Sequence, residues 1–75
     1  MNAQRRARIG AILTKLNDLA EEIESIKDEE QDYYDNMPES LQGGEKGEAA
    51  QNAITALENA KDNTDCACSE LEGIE

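Results

Sequence analysis

The chain contains no histidine, phenylalanine or valine, a single proline, and only two aromatic residues, Tyr33 and Tyr34. Without histidine it lacks the one side chain that titrates unperturbed near neutral pH, the usual vehicle of general acid–base catalysis. Neither cysteine has a base beside it, and no nucleophile motif is present. The carboxylates fall on helix surfaces where nothing tunes their acidity. An enzyme is not expected. No apolar run approaches the roughly 18 residues needed to span a bilayer. Arg5, Arg6 and Arg8 are followed by an amphipathic pattern, not a continuous apolar segment, so no secretory leader is expected. The expected compartment is the cytoplasm.

Metal and phosphate motifs are missing too. Cys66 and Cys68, two apart on a helix, point to nearly opposite sides and make no disulfide framework. They are expected as reduced thiols, with Cys68 a small core residue. No histidine or second cysteine pair completes a zinc site. Asp28, Glu30 and Asp32 fail as a calcium loop because Tyr33 stands where glycine is required. In the segment Gly43 to Gly47, Lys46 precedes its glycine and no Ser or Thr follows, so it is no phosphate loop. No metal and no cofactor are expected.

What is present is charge and period. Eighteen acidic and seven basic residues give a net charge of -11, and only twelve residues are Leu or Ile. That composition leans toward disorder. The patterning argues the other way. Apolar positions alternate steps of three and four through Ile9, Ile12, Leu16, Leu19, Ile23, Ile26, Glu30, Tyr33 and Met37. The same spacing returns through Ala50, Ala53, Leu57, Ala60, Thr64, Ala67, Leu71 and Ile74. Such steps hold one stripe of an α-helix, with Ile9 and Ala50 opening the heptads at position a and Ile12 and Ala53 at d. Position e adds Leu13, Ala20, Lys27 and Tyr34 to the first stripe, and Ile54 and Cys68 to the second. The faces are therefore wide, as in a bundle.

The spacing predicts one unit over residues 1–75: a helix over about 3–36 capped by Asn2, a turn over 37–44, and a helix over about 45–72. Met37 precedes Pro38, which ends the first helix, and Gly43 and Gly44 let the chain reverse. The fold expected is all-α, an antiparallel αα-hairpin that assembles into a homo-oligomeric helical bundle. The seam, of the hairpin core and of the oligomer alike, is assigned to Ile12, Leu16, Leu19, Ile23, Ile26, Tyr33, Ile54, Leu57 and Leu71. Folding back at the turn pairs residues whose numbers sum to about 80. Burying one Leu or Ile contributes roughly 1.5–3 kcal/mol, while ordering each residue costs about 1.5 kcal/mol. One hairpin with so few such side chains is marginal, and a second copy supplies the missing burial.

Three groups are candidates for binding. Arg5, Arg6 and Arg8 form the one basic cluster. They either neutralise Glu70, Glu72 and Glu75 at the neighbouring helix end, or converge from adjoining subunits on a phosphate. Glu21, Glu24, Asp28 and Asp32 belong to an acidic face, which is either plain solvated surface or a mimic of nucleic acid that occupies a basic groove. Direct DNA binding is not expected, since that face repels phosphate. Tyr34, Gln42 and Lys46 gather at the turn as a candidate rim, while Tyr33 is assigned to close the core there and Glu30 to meet Lys46.

The run Ile23-Glu24-Ser25-Ile26-Lys27-Asp28-Glu29-Glu30-Gln31, then Asn36-Met37-Pro38-Glu39-Ser40-Leu41-Gln42 and Gly44-Glu45-Lys46-Gly47-Glu48-Ala49-Ala50, resembles small hairpin proteins of phages and prophages, chiefly of Gram-positive bacteria. The chain departs from them at Cys66-Ala67-Cys68, where another acidic-apolar heptad is expected. The resemblance implies a hairpin and a phage setting in the host bacterial cytoplasm, and carries over no functional residue. It makes counter-defence by binding the leading expectation: immune evasion by sequestering a nucleotide second messenger between subunits. A nucleic-acid mimic acting on a host defence protein, or a structural coiled coil of virion assembly, are the alternatives.

Overall fold

The computed structural model describes residues 1–74, which form three helices and no strand. Helix α1 runs Ala3–Asp35, a short α2 covers Glu39–Gln42, and α3 runs Glu45–Glu72. Extended backbone at Asn2 lets its side-chain oxygen accept the Arg5 N–H at 2.8 Å, which satisfies one orphan donor of the first turn. Asn36 ends α1, its N–H donating to the Asp32 carbonyl at 3.0 Å while the Met37 N–H donates to the Tyr34 carbonyl at 3.1 Å, just ahead of Pro38. Pro38 then opens α2, its carbonyl accepting from Leu41 at 2.9 Å and Gln42 at 3.1 Å. Reversal falls at Gly43–Gly44, yet neither glycine adopts positive φ.

The molecule is a rod of 58 × 14 × 12 Å. Its radius of gyration is 17.2 Å, against about 11 Å for a compact chain of this length. Helix α3 lies along α1. Tyr34 meets Gln51 and Asn17 meets Cys68, so residue numbers fall along one helix as they rise along the other. Both pairs sum to 85, further along than the sum of about 80 expected from a symmetrical turn. The turn is lopsided. Residues of α2 extend the first arm before the chain reverses, which shifts the expected partners of Leu16, Ile23 and Ile26 toward the C terminus.

The core between the helices uses rows a and e, not a and d. Ala20, Gly47, Ala50, Ile54 and Cys68 are buried, and Leu13, Leu16, Ile23, Leu57 and Leu71 are half-buried. Ile12, Leu19, Ile26 and Tyr33 are instead about half exposed, at 46, 51, 52 and 52%. Within the single chain these four seam residues lie on an outer face and not between α1 and α3. A helix touches one neighbour through about two rows, and a three-row stripe must leave one row out. Small residues at a and e of α3 (Gly47, Ala50, Cys68) admit α1 closely and draw those rows inward. In helices that run in opposite senses, the two d rows then rise on the same side. Ala53, Ala60 and Ala67 are half-buried there, and Ile74 is 41% exposed.

Candidate binding surfaces

The corner joins all three helices through side-chain hydrogen bonds and close packing. The Gln42 side-chain amide donates to the Tyr34 carbonyl at 3.0 Å, and the Gln51 amide donates to the Tyr34 hydroxyl at 2.9 Å. Gly47 is buried where a Cβ would overlap the Gln42 carbonyl. Tyr34 is therefore clamped to α2 at its backbone and to α3 at its ring. Tyr33 points outward, so the aromatic that closes the corner is Tyr34, and the assignment of Tyr33 to the core is corrected. Position e faces α3, whereas d does not. The rim of Tyr34, Gln42 and Lys46 comes together only in part. Tyr34 and Gln42 bond to each other, and Lys46 is exposed with no ion pair to Glu30 or any other described residue. Gly47 and Gln51 are the residues that sequence reasoning missed. A glycine that breaks the run of good helix formers just after the turn was the available signal.

At the open end, Arg5, Arg6 and Arg8 are all exposed. Among the described residues none lies within 4.0 Å of a carboxylate, so pairing with Glu70 or Glu72 is not found. Glu75 lies outside the described residues. The three guanidiniums also diverge. Arg6 lines a shallow groove with Leu13, Leu71 and Glu72, while Arg5 and Arg8 border a depression with Met1 and Ile12 on the apolar side. One chain by itself makes no convergent anion pocket.

The acidic face is real but uneven. Glu21, Asp28 and Asp32 are exposed, and Glu24 is half-buried. Lys27 stands 3.6 Å from Glu24 and 3.8 Å from Asp28, which partly neutralises the array. On α3, Lys61 donates to Asp65 at 2.8 Å. That hydrogen bond and the adjacent charge hold the Lys61 ammonium above the ordinary lysine value of 10.5. Cys66 is an exposed free thiol, and the buried Cys68 thiol donates to the Asn17 side-chain oxygen at 3.6 Å.

Among the described residues no three His, Cys, Asp or Glu side chains group to hold a metal. No described helix is long and apolar enough to cross a membrane. No family model, curated protein or solved structure matches the chain. Function must be read from the surfaces themselves.

Proposed function

We propose that the protein is a non-catalytic binding protein: an antiparallel αα-hairpin that assembles with copies of itself into a helical bundle. The outward row Ile12, Leu19, Ile26 and Tyr33 carries this reading. No large side chain is fully buried among the described residues. The chain exposes 5526 Å², against about 4500 Å² for a compact protein of its 8.2 kDa mass. The excess is comparable to the roughly 800 Å² that one partner contributes to a standard interface. An apolar row of this kind on so small a core supports association as the source of stability.

Within that reading, the phage setting suggests counter-defence, with a nucleotide immune signal held by arginines brought together from different subunits. Their exposure and lack of carboxylate partners favour this over a structural role within one chain. Calorimetry with cyclic and linear immune nucleotides tests it, with Arg5, Arg6 and Arg8 replaced together by Ala. Binding that weakens with salt and disappears in the triple variant, while helicity persists, is the expected result. Absence of heat with every nucleotide removes the sequestration reading. Capture of a basic host protein, abolished by Lys at Glu21, Glu24, Asp28 and Asp32, replaces it with nucleic-acid mimicry.

A further inference from the structure

We propose that the apolar face is covered by a second copy of this chain laid end for end, α1 against α1, about a two-fold axis at Leu19. The inference rests on the self-association proposed above and specifies one interface of it; the two arginine clusters lie at opposite ends of this dimer, so a nucleotide held between subunits requires dimers to meet end to end. Four bases and no acid lie in residues 1–17, namely Arg5, Arg6, Arg8 and Lys15. From Asp18 to Asp35 there are nine acids and one base, Lys27. This order opposes the dipole of α1, whose first turn has no acid and whose last turn has no base. A helix selected only for its own stability carries the reverse order. The segregation makes sense between molecules: turned end for end, each basic half lies on the other's acidic half.

Rows beside the exposed stripe agree residue by residue. Position g borders d, and on α1 it carries Arg8, Lys15, Glu22 and Glu29, all exposed. Leu19 is the midpoint of Ala3–Asp35, so an axis there gives full overlap of the two helices. It stacks Leu19 on the partner's Leu19 and Ile12 on the partner's Ile26. Tyr33 then lies over the partner's Arg5, in reach of a cation–π contact. Arg8 meets the partner's Glu29 and Lys15 meets the partner's Glu22. These ion pairs fall within one residue of the d-row register, about 1.5 Å along the helix. Helix α3 meets its own copy at Ala67, whose small side chain allows close approach, with Ala60 near the partner's Ile74. The other face-to-face stacking lays α1 on the partner's α3 and offers the g row only one opposite charge, Glu70 against Lys15. Complementarity selects the end-for-end arrangement.

The test is a mixing experiment followed by sedimentation. Lys15→Glu alone and Glu22→Lys alone each face like charge twice per dimer, and each is expected to weaken self-association at least about tenfold. Mixed in equal amounts, the two variants are complementary at both contacts and should pair with near wild-type affinity. A separate variant, Leu19→Cys with Cys66→Ser, should cross-link to itself on mild oxidation, because the axis brings the two positions together. Rescue of Lys15→Glu by Glu70→Lys and not by Glu22→Lys, with no cross-link at position 19, overturns the end-for-end geometry and leaves self-association standing. A wild-type monomer at high micromolar concentration overturns both.

Discussion

The two broad faces of the rod are built from neighbouring heptad rows and could hardly differ more. On one, position b presents Asn17, Glu24 and Gln31 from α1 and Gln51, Glu58 and Asp65 from α3. Its polar groups are engaged within the chain: Gln51 with Tyr34, Asn17 with Cys68, and Asp65 with Lys61. On the other, position d presents Ile12, Leu19, Ile26 and Tyr33, each about half exposed. Solvent satisfies the first face. Only another apolar surface satisfies the second, so the difference marks the face on which the proposed assembly would form.

The largest effect should come from placing charge on the apolar side. Leu19→Asp puts a carboxylate at the centre of the proposed interface and should abolish assembly, with loss of helical signal on dilution to micromolar concentration. The same residue type introduced on the polar side, Gln31→Asp, should leave circular dichroism and sedimentation unchanged. Equal damage from both variants breaks the comparison of faces. Next comes Gly47→Ala. Its methyl group overlaps the Gln42 backbone, which no rotamer change relieves, and forces α2 away from α3. A loss of about 1–3 kcal/mol in chemical denaturation is expected, typical of overpacking, although alanine is the better helix former. An unchanged midpoint means that the corner is looser than its geometry implies.

The smallest effect belongs to Lys61, whose partner Asp65 is also solvent-facing. The raised lysine value means that the ion pair contributes below pH of about 10.5 and is lost as pH rises through the higher folded value. Because the pair is exposed, Lys61→Ala should leave the melting temperature at neutral pH within error. A clear drop would move this residue out of the solvated face and into the core between α1 and α3.

Helical class was legible because a 3-4 spacing sustained over many turns has no other economical reading, and Asn2 and Pro38 bracket α1 in plain view. The choice between rows a, d and e was not legible. All three are apolar on α1, and which row turns inward depends on where the small side chains of α3 lie once the helices meet. Tyr33 and Tyr34 exchange roles for that reason alone. Register was hidden because the offset between the two arms depends on how the short coil opened by Pro38 packs against α3 at Gly47. The divergence of Arg6 from Arg5 and Arg8 likewise follows from helical phase against a neighbour, not from their closeness in sequence.

The clamped corner also sets an order of events. Tyr34, Gln42, Gly47 and Gln51 lie close along the chain, so the loop they close is short and its entropic cost small. Each later contact between α1 and α3 extends the pairing by one more turn, with Leu13 and Leu71 near the far end. Such a molecule closes like a zipper from the corner and frays from the opposite tip. The arginines therefore sit on the last segment to become ordered, where backbone amides exchange with solvent first.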